Sequence, residues 1–203
     1  FVFAHDDEQL AMRMRRARDE PLAPVEHPVI AVSAQRGLQI AHVDLKLIHN
    51  AFQLRGLLER EAAMHFVSVV SEADLNDIEA AHRDIVARAT KDAISDELLT
   101  EATSIDWGLH DLMIDTLGNE LISQAYRINS LRVRLIHLER STLSAEVLLP
   151  AMHEHLDLIA ALKQRDANAV AEKLRYHIHC AHQRVLGQDR RELSKFQPVV
   201  ETF

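Results

Sequence analysis

Four residues of this chain are of metal-binding type and stand at spacings that would let them meet: Asp106, His110, His155 and His177. Asp106 and His110 are four apart, so on a helix they project from one face. That face continues through Met113 and Leu117. His155 falls on the stripe Leu148, Met152, His155, Ile159, Leu162, and His177 on the stripe Val170, Leu174, His177, Ala181, Val185. The neighbours His153 and His179 fall off these lines. His179 shares its face with Glu172, Arg175 and Gln183 and is expected to be exposed. An imidazole or carboxylate on an apolar stripe is buried at a cost unless it finds a partner. One divalent cation would partner all four. Three imidazoles and a carboxylate suit zinc, nickel, cobalt, iron or manganese. A plainer reading stands beside this one: single core histidines bound to neighbours, and an Asp106–His110 salt link. Periodicity alone leaves both open.

The elements that would carry these residues are helical. From about residue 43 the apolar residues recur at three and four, as in Leu47, Ala51, Leu54, Leu58 and Ala62. This predicts a first helix over 43–70. Ser71-Glu72-Ala73-Asp74 has the form of a capping box and opens a second, to about Thr90. A third runs from near Asp96 to Leu117, interrupted or continuous at its middle, and Gly118-Asn119 ends it. A fourth spans Glu120 to about Ser141, a fifth Ala145 to Lys163, and a sixth, opened by Asp166, reaches Leu186 and stops at Gly187. A further short helix is expected around Gln9 to Arg18, with Val29 to Val32 extended. The expected fold is all-α, an antiparallel bundle of six or seven helices. The domain plan is an arm or linker over 1–42, the helical domain over 43–187 and a polar tail over 188–203.

Composition narrows the function classes. Twenty-three basic against 31 acidic residues give a net charge of −8, which disfavours nucleic-acid binding by this chain itself. The local exception, Arg13-Met14-Arg15-Arg16-Ala17-Arg18, reads first as a solvated basic face. The single Cys180 cannot form an intrachain disulfide and fits a reducing compartment, which predicts a cytoplasmic location. No run approaches the roughly 18 apolar residues of a membrane helix, so no membrane partner is expected. The chain opens on Phe1 rather than Met, which predicts a segment upstream.

Several motifs together resemble the C-terminal effector domain, the FCD domain, of GntR-family bacterial transcription regulators of the FadR-type branch. Gln53-Leu54-Arg55-Gly56-Leu57-Leu58-Glu59 with Glu61-Ala62-Ala63 resembles its opening-helix signature. Asp106-Trp107-Gly108-Leu109-His110, followed by Leu117-Gly118-Asn119-Glu120-Leu121, resembles its D-x3-H … GN-x-L core. Glu154-His155, then Ala160 and Asp166-Ala167-Asn168-Ala169, resembles the segment leading to the last helix, and His177 stands where the final ligand should. The likeness covers roughly residues 43–186. It implies a divalent metal, zinc first with nickel, manganese or iron as alternatives, held by Asp106, His110, His155 and His177. It implies a small organic acid effector at that metal, with Arg55 facing the effector, or else paired with Glu59 four residues on, and Arg132 and Arg134 as further candidates, at least one of them otherwise a surface charge. A guanidinium suits a carboxylate. It also implies a homodimer that meets DNA only through an N-terminal winged helix-turn-helix absent from this chain. Phe1-Val2-Phe3 resembles the end of that domain's wing. Trp107-Gly108 departs from the apolar-aromatic pair usual between the first two ligands.

The sequence therefore predicts a sensing domain and no enzyme. The alternative is a metal-dependent hydrolase or oxygenase on the same bundle, since three histidines with an open position could activate water. Against it, no general base is evident beside the ligands, and Glu154 points elsewhere by helical phase. A structural oligomerisation module with core histidines is a third reading.

Overall fold

In the computed structural model, residues 30–33, 37–40, 43–91, 93–140 and 145–187 are described. The expected short helix around 9–18, the basic cluster within it and the wing-like 1–3 lie outside them. A two-stranded antiparallel hairpin, β1 (Ile30–Ser33) and β2 (Gly37–Ile40), precedes the helices, with Ile30 opposite Ile40 and Ser33 opposite Gly37. The extended piece expected over 29–32 is thus one half of a hairpin.

Among the described residues six helices follow: α1 (Leu45–Val69), α2 (Glu72–Lys91), α3 (Asp96–Asp115), α4 (Glu120–Arg140), α5 (Ala145–Lys163) and α6 (Ala167–Val185). Their boundaries follow local chemistry. The Asp44 carboxylate accepts from Leu47 N at 2.7 Å and Ser95 Oγ from Leu98 N at 3.3 Å, which opens α1 and α3. Ser71 Oγ accepts from Asp74 N at 3.1 Å, and Asp166 Oδ1 from Asn168 and Ala169 N at 3.0 Å, which opens α2 and α6. Between α3 and α4 the chain turns through Gly118 at φ 59°, a conformation glycine adopts without strain, and Asn119 Oδ1 then accepts from Leu121 and Ile122 N. α3 is continuous, with no break near Gly108.

α1 is the central post, packed against α6, α4 and α3; α5 packs against α6, α2 and α3. The main core unites Phe52, Phe66, Leu75, Met113, Ile136, Leu158 and Leu174. A smaller core of Ile85, Leu98, Ala102, Leu148 and Met152 ties α2, α3 and α5 at one end. Burial on this scale stabilises by about 25 cal/mol per Å² of apolar surface. That is ample to hold polar groups between the helices when each is partnered. Among the described residues no helix is long and apolar enough to cross a membrane.

Candidate metal centre

Every helix sends at least one polar side chain to a single region in the bundle. α3 supplies Asp106 and His110 from adjacent turns, α5 supplies His155 and α6 supplies His177. The three imidazoles are buried and Asp106 is half-buried. One donor atom from each of the four lies within 4.8 Å of the others. His155 Nε2 stands 3.2 Å from His110 Nε2 and 3.2 Å from His177 Nε2, and 3.5 Å from Asp106 Oδ1. Ligands of a tetrahedral ion bound at about 2.0–2.1 Å stand about 3.3 Å apart. The three distances from His155 Nε2 are close to that spacing, and the other donor pairs lie within 4.8 Å. With the ring protons on the outer nitrogens, three inner nitrogens this close set lone pair against lone pair unless a cation lies between them. His110 Nε2 already receives a cation, since the Arg55 guanidinium Nη2 lies 3.0 Å away.

Burial governs the charge state. His155 and His177 are pushed well below the ordinary imidazole value, first by desolvation and then by neighbouring histidines. Neutral imidazoles are the form that binds metal.

Each ring's outer nitrogen also has a neighbour. His110 Nδ1 lies 2.8 Å from Glu59 Oε2, and His177 Nδ1 donates to Glu154 Oε2 at 3.0 Å. His155 Nδ1 stands 3.1 Å from His82 Nε2. Such outer partners orient ligating imidazoles. Glu59 is fully buried and also accepts from Arg55 Nε at 2.9 Å. Burial opposes its charge, but Arg55 and His110 outweigh that and hold its carboxyl at about 2. Glu154 is shared likewise, with Arg184 donating to its other oxygen. On two sides of the cluster, then, a histidine, a carboxylate and an arginine stand together, His177–Glu154–Arg184 and His110–Glu59–Arg55.

The arginines end at a cavity of 450 Å³, whose polar wall includes Arg55, Asp106, Arg134, His137, His177 and Arg184. Trp107, Val147, Ala151 and Ala181 supply apolar wall. The Arg134 and Arg55 guanidiniums lie over the Trp107 ring, 4.7 and 5.3 Å from its centroid. Arg134 is only loosely tied to Asp111, at 3.9 Å.

Of the residues singled out from the sequence, Asp106, His110, His155 and His177 come together, and Arg55 and Arg134 line the adjoining cavity. Arg132 does not line it, because two residues along α4 is more than half a turn around the helix. His153, off the core stripe, is exposed, but His179 is half-buried rather than exposed as expected. Glu154 corrects the sequence reading: its helical phase does lead away from the cluster, yet its carboxylate reaches His177 across the α5–α6 contact. His82 and Arg184 were not anticipated. Both had a readable signal: His82 sits on the stripe Leu75, Ile78, His82, Ile85, Ala89, and Arg184 lies two turns beyond His177.

No curated protein sequence gives a significant match to the chain. Among solved structures it resembles the metal-free FCD domain of TM0439, a candidate transcriptional regulator, with a TM-score of 0.60 and 23% identity over 77% of this chain and 100% of that one. It also resembles the Zn2+-bound FCD domain of the same protein, with a TM-score of 0.57 at the same identity and coverage. At this identity the likeness establishes the shared helical fold. The FCD-domain family profile matches residues 50–179, which include α3, α4, α5 and all four clustered donors. The chain belongs to the FCD-domain family.

Proposed function

We propose that this chain is the sensing part of a bacterial transcription regulator of the GntR family, FadR-type branch. In this reading Asp106, His110, His155 and His177 hold a divalent ion, zinc first. When bound, the ion supplies a Lewis-acidic anchor for a carboxylate. Arg55, Arg134 and Arg184 receive a small organic acid in the adjoining cavity, and Trp107 and the apolar wall fit its carbon skeleton. Binding would bias the bundle between two arrangements and be read by a winged helix-turn-helix domain outside this chain, in a cytoplasmic homodimer. Residues 43–187 are the sensing domain and 1–42 the arm that leads to it.

The observation that carries this reading is the convergence of three Nε2 atoms and one carboxylate, each imidazole backed by a neighbour at its outer nitrogen. An enzymatic reading gains nothing here. Glu59 and Glu154, the carboxylates nearest the cluster, are each already engaged by a histidine and an arginine, so neither is free to act as a general base. The test is zinc titration against a competing chelator, followed by calorimetry with small carboxylates. One ion per chain is expected, with uptake abolished in His155→Ala and carboxylate binding seen only in loaded protein. Uptake unchanged in His155→Ala would sink the assignment.

A further inference from the structure

α2 supplies none of the four clustered donors, yet one of its side chains reaches them. His82 is buried, 1% exposed, between Ile78 and Ile85 on the inward stripe. Its Nδ1 stands 2.7 Å from the Ile78 carbonyl oxygen. A carbonyl can only accept, so Nδ1 carries the ring proton. The opposite tautomer would set a nitrogen lone pair against an oxygen lone pair at that distance. The ring lies in the apolar interior, where a second, unshared ring proton would be buried at a cost, so Nδ1 holds the one proton and Nε2 is bare.

That bare Nε2 stands 3.1 Å from His155 Nδ1, with the rings tilted by 56°. An acceptor there draws the His155 proton onto Nδ1. His155 Nε2 is then left bare, and this is the atom at the centre of the donor cluster, 3.2 Å from both other imidazole Nε2 atoms. A main-chain carbonyl thus sets the tautomer of one ring, and that ring sets the next.

We propose that His82 is a positioning residue of the metal centre: it fixes His155 in the tautomer that presents Nε2, and it makes α2 part of the unit that feels ion binding. The proposal rests on the metal reading given above. His82 differs in kind from Glu59 and Glu154. A carboxylate accepts in either of its orientations and adds negative charge to the imidazole it holds. A neutral imidazole adds none, and it accepts only while its own proton stays on the carbonyl side. Hence the His155 arm depends on the backbone of α2 in a way that the His110 and His177 arms do not. α2 and α5 also share the smaller core, through Ile85 and Met152, so a constraint at His155 bears on the packing of both.

The test uses three readouts on the chain as it stands, with zinc as the probe. Long-range 1H–15N spectra of metal-free protein near neutral pH should show His155 protonated at Nδ1. In His82→Phe, which keeps the ring volume, zinc affinity by chelator competition should fall roughly 10- to 100-fold. His82→Gln, whose side-chain carbonyl can accept from His155, should recover most of it. Zinc should slow amide exchange over 75–89 in wild type and His82→Gln, and not in His82→Phe. Thermal melting in chelator checks that the variants fold. His155 protonated at Nε2, or zinc affinity in folded His82→Phe within about two-fold of wild type, would overturn the proposal. If His82→Phe does not fold, the wild-type spectrum and the His82→Gln affinity decide it. If wild type takes up no zinc, the metal reading fails and the positioning role with it. Uptake that is strong but independent of His82 overturns this inference alone.

Discussion

His110 Nδ1 lies 2.8 Å from Glu59 Oε2, and neither side chain is exposed to water. A carboxylate in that place is stable only because Arg55 grips its other oxygen. Three groups on two helices, α1 and α3, are therefore interdependent, and α1 is the post on which the bundle is built.

Removing the Glu59 charge should be costly. Glu59→Gln leaves the buried Arg55 guanidinium without its counter-ion and leaves one accepting oxygen where two faced Arg55 and His110. Breaking a buried pair from one side costs about 3–5 kcal/mol. Urea denaturation in the presence of chelator should show a loss of that order, and zinc affinity should fall as well. A variant as stable as wild type would mean that the pair contributes nothing net.

Stability of the metal-free chain should depend on pH in a stated direction. His82, His155 and His177 are held below the ordinary imidazole value of 6.5, chiefly by burial. As pH falls through about 6.5, the unfolded chain takes up protons that the folded chain refuses. Their contribution is therefore complete above that value and lost progressively below it. Glu59 behaves separately: with its value lowered from 4.5 to about 2, its contribution is complete above about pH 5 and is lost progressively as pH falls from there toward 2. Urea midpoints measured between about pH 7.5 and pH 5 should fall. The fall should be smaller in His82→Phe. A flat profile would contradict the assignment.

Ion binding should appear as added stability. An ion at a hundred times its dissociation constant stabilises the folded state by ~2.7 kcal/mol. For a chain of this size that raises Tm by roughly 5–10 °C. Calorimetric scans with zinc and with chelator should differ by this amount in wild type and coincide in His155→Ala.

Arg134 and Arg132 should part company. Arg134 faces the cavity over Trp107, and Arg132 does not line it. A hydrogen bond from a charged group is worth about 1.5–3 kcal/mol. Arg134→Leu should therefore weaken carboxylate binding to zinc-loaded protein roughly 10- to 100-fold, while Arg132→Leu leaves it unchanged. Isothermal titration with a panel of mono- and dicarboxylates measures both. Equal losses would place the ligand elsewhere.

Helix spacing carried the six helices and the inward direction of the four clustered donors, because both are set within one helix by its period. The rest needed distances between helices. Glu154 sits one residue before His155 and a third of a turn off its line, so its phase is uninformative. What matters is that its long side chain crosses to α6. Arg132 and Arg134 differ only in which neighbour α4 faces, and no single helix records that. His82 is the instructive omission. Its stripe is as clean as those of His155 and His177, but α2 offers only one polar residue on it. A lone histidine among apolar residues reads as filler until its partner on α5 is seen.

The 3.0 Å approach of Arg55 to His110 Nε2 has a consequence for the order of events. One lone pair serves one partner at a time. Arg55 cannot both donate there and leave His110 free to take an ion. When displaced, its guanidinium has the cavity to turn toward, where it already leans over Trp107. On the proposed reading, the arginine best placed to greet an acid would be occupied until the ion arrived, and the pocket would behave as a sequential lock, in which the first key uncovers the slot for the second.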